Sequence, residues 1–117
     1  MSEKAQREFW KKFYEALDAG DADTASALFK DGTEIYLWDG KVFKKQEEFK
    51  EWFEKLHSTS ENAKRKIVKF EVKGNVSYVE VVLEASLAGE KKTVKLKHMF
   101  QFEGDKLVKV TVDIYPL

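Results

Sequence analysis

Cysteine is absent from this chain, proline occurs once and histidine twice. Without cysteine there is no disulfide, no thiolate nucleophile and no cysteine-bound metal. Two histidines, with no His-x-x-x-His spacing and no carboxylate cluster, argue against a metal site. No glycine-rich phosphate loop occurs, and no Ser, His and Asp grouping declares a nucleophile. Charge of one sign is not in excess, since 21 basic residues meet 21 acidic ones. Phosphate binding needs a basic patch, so nucleic acid is not the expected partner. No apolar run approaches membrane-spanning length, and no basic amphipathic helix has the clean apolar face of a membrane-surface element. The segment MSEKAQREFW lacks the apolar stretch of a signal peptide. The expected protein is soluble, and cytoplasmic on recombinant expression. No repeat, linker or low-complexity stretch appears, so residues 1–117 are expected to form one domain.

What is present is regular. Apolar residues make up 43% and aromatics 14%, enough for a real core. Lys and Glu dominate the polar positions, the one proline is Pro116, and the turns are short. Such idealised choices are those of a designed sequence.

Ser2 to Asp18 reads as a helix. Ser2 suits its N-cap, Gly20 ends it, and Phe9, Trp10, Phe13, Tyr14 and Leu17 form its apolar stripe. Asp21 caps a short second helix with Ala25, Leu28 and Phe29 facing inward, ending near Asp31-Gly32. Thr33 to Trp38 reads as a strand that returns through Asp39-Gly40 to Lys41-Val42-Phe43. Lys45 to His57 is a third helix, with Phe49, Trp52, Phe53 and Leu56 on its apolar face. Four long strands follow, over Ala63–Lys73, Val76–Ala88, Lys91–Glu103 and Lys106–Tyr115. Their turns, Gly74-Asn75, Gly89-Glu90 and Gly104-Asp105, place Gly first, as a type II′ hairpin wants. Three helices followed by a meander fit an α+β cone, a curved, mostly antiparallel sheet wrapped on the helices around a pocket. This order resembles the nuclear-transport-factor-two-like fold, also found in ketosteroid isomerases and SnoaL-like proteins.

The polar residues of the interior carry the functional signal. Val94, Leu96, His98, Phe100 and Phe102 share one face of their strand, which puts an imidazole inside an apolar stripe. A buried imidazole needs a partner. On the first long strand, Val68, Phe70 and Val72 mark an inward phase that Ile67 breaks. A β-bulge near Ile67-Val68 would turn Arg65 inward beside Ile67, whereas without it Arg65 points to solvent. Tyr14 and Asp18 are four apart on the first helix and share a ridge. Each has a plainer reading: Asp18 as a solvated turn residue, Tyr14 as a core tyrosine, His98 as a satisfied core histidine. Taken together they pair without remainder, Arg65 with Asp18 and His98 with Tyr14. A paired cation facing an aromatic cavity suits a planar anionic ligand. His57 reads as structural or exposed. Trp10, Trp38 and Trp52 read as core, with Trp38 also placed to line the pocket mouth.

The segments FYEALDAGDADTASALF, LWDG and EEFKEWFEKL, together with Tyr14, Asp18, Arg65 and His98, closely resemble the LuxSit-type luciferases, designed de novo on a nuclear-transport-factor-two-like scaffold. The resemblance runs over essentially the whole chain in register. Many surface and core positions differ, as in a resequenced descendant, while Ser60, Leu96 and Val110 look like residues of an improved member. It implies oxidation of a synthetic imidazopyrazinone luciferin, of the coelenterazine class and best represented by diphenylterazine. The oxidant would be molecular oxygen as co-substrate, with no metal or organic cofactor, and the reaction would emit blue light. It implies that Arg65 stabilises the luciferin anion, that Asp18 holds Arg65, and that His98, bonded to Tyr14, contacts the heterocycle. Inward-facing positions add Phe13, Leu17, Trp38, Leu83, Leu96, Phe100, Val110 and Val112 as shape-giving pocket residues, with Ser60 joining them through the resemblance. Two other functions compete. One is a ketosteroid-isomerase-like proton shuttle with Asp18 as base and Tyr14 as oxyanion donor; the other is a designed binder or bare scaffold. Natural members of the fold often dimerise through the open sheet face. Here Lys95, Lys97, Lys109, Glu80 and Glu84 are expected to charge that face and favour a monomer.

Overall fold

The computed structural model describes residues 1–116. Helix α1 (Glu3–Asp18) starts where the Ser2 hydroxyl accepts from the Ala5 amide at 3.1 Å. It buries Gln6, Trp10, Phe13, Tyr14, Ala16 and Leu17 along one stripe, as its apolar periodicity requires. Gly20, at φ 69°, supplies the left-handed residue that ends it. Asp21 then accepts from the Thr24 amide at 3.0 Å and caps α2 (Ala22–Ala27).

Strand β1 (Glu34–Tyr36) and strand β2 (Val42–Phe43) are shorter than the apolar run suggests. The chain leaves the ladder at Leu37, whose carbonyl accepts from the Gly40 amide at 3.1 Å to form the hairpin turn. Helix α3 (Gln46–Ser58) takes its N-terminal partners from elsewhere, because Lys45 has no side-chain acceptor. Glu48 Oε1 reaches back to the amides of Lys44 and Lys45, and Asp31 accepts from the Gln46 amide.

Strands β3 (Ser60–Lys73), β4 (Val76–Leu87), β5 (Glu90–Glu103) and β6 (Lys106–Pro116) form the meander. The sheet order is β2-β1-β6-β5-β4-β3, antiparallel except for the β1–β6 pair. Gly74 and Gly104 take positive φ as first residues of two-residue loops, as a type II′ hairpin requires. The third turn differs from expectation. Leu87 pairs with Glu90, so the loop is Ala88-Gly89, and both residues have positive φ (52° and 80°), the type I′ pattern.

Three register shifts bend the sheet. Val68 is extra between Ile67↔Val81 and Lys69↔Glu80, as the break in apolar phase implied. A second bulge between Glu61 and Lys64 contains Asn62 at φ 55°. A third leaves Val108 extra on β6. The inner face carries Leu96, His98, Phe100, Val79, Val81 and Val110 against the helices. Lys95, Lys97, Lys109, Glu80 and Glu84 fall on the opposite face, by strand parity and register. A buried polar knot fastens α1 to the β3–β4 turn. Gln6 Nε2 donates to the carbonyls of Met1 (3.1 Å) and Gly74 (2.8 Å), and Gln6 Oε1 accepts from Ser77 at 2.6 Å. Among the described residues, no helix is long and apolar enough to cross a membrane.

Candidate active site

The sheet and α3 enclose a cavity of about 230 Å³ at the wide end of the cone. Phe49, Trp52, Phe53 and Leu56 of α3 face Leu83, Val94, Leu96 and Val112 of the sheet across it. Phe13 and Leu17 of α1 close its inner end, and Trp38, Leu87 and Lys92 stand at its mouth. The lining is overwhelmingly apolar. Its charged members are Arg65 and Lys92, and its other polar side chains are His98 and Ser60.

The bulge at Val68 sets Arg65 on the inner face, opposite Leu83 in the β3–β4 register. Its side chain is 6% exposed, and Nη1 donates to Asp18 Oδ1 at 2.9 Å. Asp18 Oδ2 accepts from the Arg65 backbone amide at 3.1 Å, so one carboxylate fixes both the strand and the side chain. Asp18 itself is 29% exposed and does not line the cavity. Arg65 Nε is buried without a protein partner. A guanidinium has five N–H donors, and Asp18 takes one from the side chain.

His98 is buried, lines the cavity and lies 3.0 Å from Tyr14 Oη through Nδ1. Burial, with the Arg65 charge adding to it, pushes the imidazole down to a pKa of about 3, so it is neutral at pH 7. Burial likewise raises the Tyr14 phenol well above its ordinary value, against the opposing pull of Arg65. The phenol therefore keeps its proton. His98 Nδ1 is the acceptor within reach, so Tyr14 donates to it, which puts the imidazole proton on Nε2. His98 also stacks on Phe100 at 5.6 Å and meets Phe13 edge-on at 6.4 Å.

Of the residues read from the sequence as pocket-forming, Phe13, Leu17, Trp38, Ser60, Leu83, Leu96, Val110 and Val112 stand in the wall. Phe100 does not. It is fully buried beneath His98 and takes part in the core rather than the lining, because the inner face of β5 dips under α1 there. Tyr14 is also absent from the wall, and its hydroxyl meets His98 behind it. Phe29, Ile35, Phe49, Trp52, Phe53 and Leu56 line the cavity without having been assigned to it. Apolar periodicity puts Phe29, Phe49, Trp52, Phe53 and Leu56 on buried faces, but that signal is the same for a packed core and a cavity wall, and Ile35 lies within a strand too short to show a phase.

A family model described as the SnoaL-like domain matches residues 10–110. The chain belongs to this family. The fold of this SnoaL-like chain is the nuclear-transport-factor-two-like cone: three helices on a curved, mostly antiparallel six-stranded sheet. Solved structures share it at low identity. A putative SnoaL-like polyketide cyclase from a Jannaschia species aligns with TM-score 0.84 and 10% identity, over 97% of this chain and 89% of that one. A hypothetical protein with a ketosteroid isomerase-like fold from Catenulispora acidiphila, in complex with trimethylamine, aligns with TM-score 0.83 and 17% identity, over 94% and 86%. An LEH-like epoxide hydrolase from M. tuberculosis aligns with TM-score 0.76 and 12% identity, over 92% and 80%. No curated protein matches the sequence. The scaffold thus carries enzymes of different chemistry, and what this SnoaL-like chain does must be argued from its own site.

Proposed function

We propose that the protein is a cofactor-independent luciferase. It oxidises a synthetic imidazopyrazinone luciferin, such as diphenylterazine, with molecular oxygen as co-substrate. The oxygen adduct closes to a dioxetanone, which loses carbon dioxide and leaves the excited amide product that emits. The observation carrying this reading is a buried guanidinium, held by Asp18, on the wall of an apolar cavity beside a neutral imidazole. The reaction runs through a luciferin anion, and a preorganised guanidinium stabilises that anion more than the neutral luciferin. One such interaction is typically worth roughly 3 kcal/mol, about two orders of magnitude in rate.

In this reading Arg65 faces the anion, Asp18 positions Arg65, and Tyr14 orients His98. With its proton on Nε2, His98 serves as a hydrogen-bond donor to the heterocycle; a group with a pKa of about 3 is a weak base. The eight wall residues named from the sequence, with Phe49, Trp52 and Leu56, hold the part of the luciferin that fits the cavity of about 230 Å³, and its remaining aryl arms project through the mouth at Trp38. The apolar wall keeps water from the emitter. The protein acts as a monomer on a small molecule, with no metal, organic cofactor, nucleic acid or membrane. The proton-shuttle alternative needs Asp18 as a free base facing ligand, whereas both its oxygens accept from Arg65 and it lies outside the cavity wall.

The test is light output on mixing purified protein with diphenylterazine in air, alongside Arg65→Ala. Bright emission falling about a hundredfold in the variant is the expected result. Darkness in both, with luciferin bound, would make the protein a binder instead.

A further inference from the structure

We infer that the cavity is a binding site for planar aromatic monocarboxylates, a ligand class separate from any luciferin and independent of light emission. Burial is unequal within the ion pair. Asp18 is 29% exposed and does not line the cavity, while the Arg65 side chain is 6% exposed and lines it. Solvent therefore screens the anion more than the cation, and a ligand inside meets the cation. Arg65 Nε is buried with no protein acceptor, and Asp18 occupies one side-chain N–H only. Nε itself lies out of reach of a ligand in the cavity, so the donors open to one are the Nη hydrogens that Asp18 leaves free. A carboxylate matches a guanidinium edge in geometry and charge.

The rest of the cavity selects what the carboxylate is attached to. Phe49, Trp52 and Leu56 on one side and Leu83 and Leu96 on the other leave an apolar slot beside Arg65. The cavity, about 230 Å³, lies just below the roughly 300 Å³ at which drug-sized sites begin. That suits a two-ring acid. No carboxylate side chain lines it to repel an anion. His98 is neutral, Tyr14 keeps its proton, and neither opposes the ligand charge.

The sign of the charge preference decides the matter. An apolar slot without an available cation would favour a neutral carboxamide, because the carboxylate loses more hydration. With Arg65 available the order reverses. The probes are 2-naphthoate and its neutral isostere 2-naphthamide, titrated into the wild-type protein by calorimetry at pH 7. Binding is located by NMR at the arginine Nε–H groups. The chain has two arginines, Arg7 and Arg65, and Arg7→Lys assigns the remaining signal. The expected result is saturable binding of 2-naphthoate at least tenfold tighter than 2-naphthamide, with the Arg65 Nε–H resonance moving. In Arg65→Gln the preference should vanish or invert. Should that variant not fold, the wild-type ratio still decides. Equal or amide-favouring affinity in the wild type, no saturation at millimolar naphthoate, or saturation that leaves the Arg65 signal unmoved would each overturn the inference. A dark protein that passes this test keeps the site and loses only the luciferase reading.

Discussion

Lowering the pH from 7 to 5 should destabilise this protein through one residue. His98 is buried against Tyr14, Phe13 and Phe100, near the Arg65 cation, and its pKa is pushed down to about 3. In the unfolded chain the imidazole titrates near about 6.5. Between these values the unfolded state binds a proton that the folded state refuses. Stability is therefore full above pH 6.5 or so and falls as the pH drops towards 3. Integrated from pH 7 to 5, the linkage comes to about 2 kcal/mol. Against a total of about 5–15 kcal/mol this is a large loss, and it lowers Tm by roughly 6–10 °C for a domain of this size. The assay is urea denaturation at both pH values, wild type against His98→Gln. Glutamine can still meet the Tyr14 hydroxyl but does not titrate. His57 and the carboxylates are common to both proteins, so the difference between their pH responses isolates His98. The wild type should lose about 2 kcal/mol more than the variant, with m unchanged. Equal losses would refute the reasoning, because they would mean that His98 is solvated or charged in the folded state.

Asp18→Ala should cost about 2–3 kcal/mol, less than the 3–5 of a fully buried pair because Asp18 is partly exposed, and Asp18→Ala with Arg65→Met should recover most of it; equal losses in the single and double variants by denaturation would remove the pair from the stability account. Gly20→Ala should cost about 2 kcal/mol: a Cβ there collides with the His57 ring, and φ 69° strains an L-residue. Adding His57→Ala relieves the collision but not the strain, so about half the loss should persist in thermal melts. Gln6→Leu should destabilise by about 2 kcal/mol, since it strands the Ser77 hydroxyl and the Gly74 carbonyl, and Ser77→Ala in that background should cost little more.

The elements that sequence periodicity resolved are those with one buried face. Helices α1 and α3 and the four long strands fall close to where their apolar stripes place them. The bulge at Val68 was legible because an extra residue reverses the alternation, and this same reversal carries Arg65 inward. Other features left weaker traces. The parallel pairing of β1 with β6 sets Glu34 against Lys109, 75 residues further on, and no local pattern encodes it. Ala88 at positive φ contradicts its own preference and is held by the Leu87↔Glu90 pair. The Gln6 knot did leave a signal, since Gln6 extends the stripe of Trp10, Phe13 and Leu17 by one turn, but a polar residue there reads as the end of the stripe. The cavity's extent was hidden for a different reason: periodicity says which side chains leave water, not whether they touch one another afterwards.

The bulges of β3 also bear on how these molecules meet in concentrated solution. β3 is an outer strand of the sheet, where unpaired amides and carbonyls would otherwise template a strand from another molecule. Two interruptions, at Asn62 and Val68, break that ladder into short pieces, and Lys64, Lys66, Lys69 and Lys73 charge it. The opposite border is β2, two residues long. Neither border offers a flat run long enough for an incoming strand to register. The irregularity that aims a cation into the cavity thus also guards the sheet against growing into fibrils.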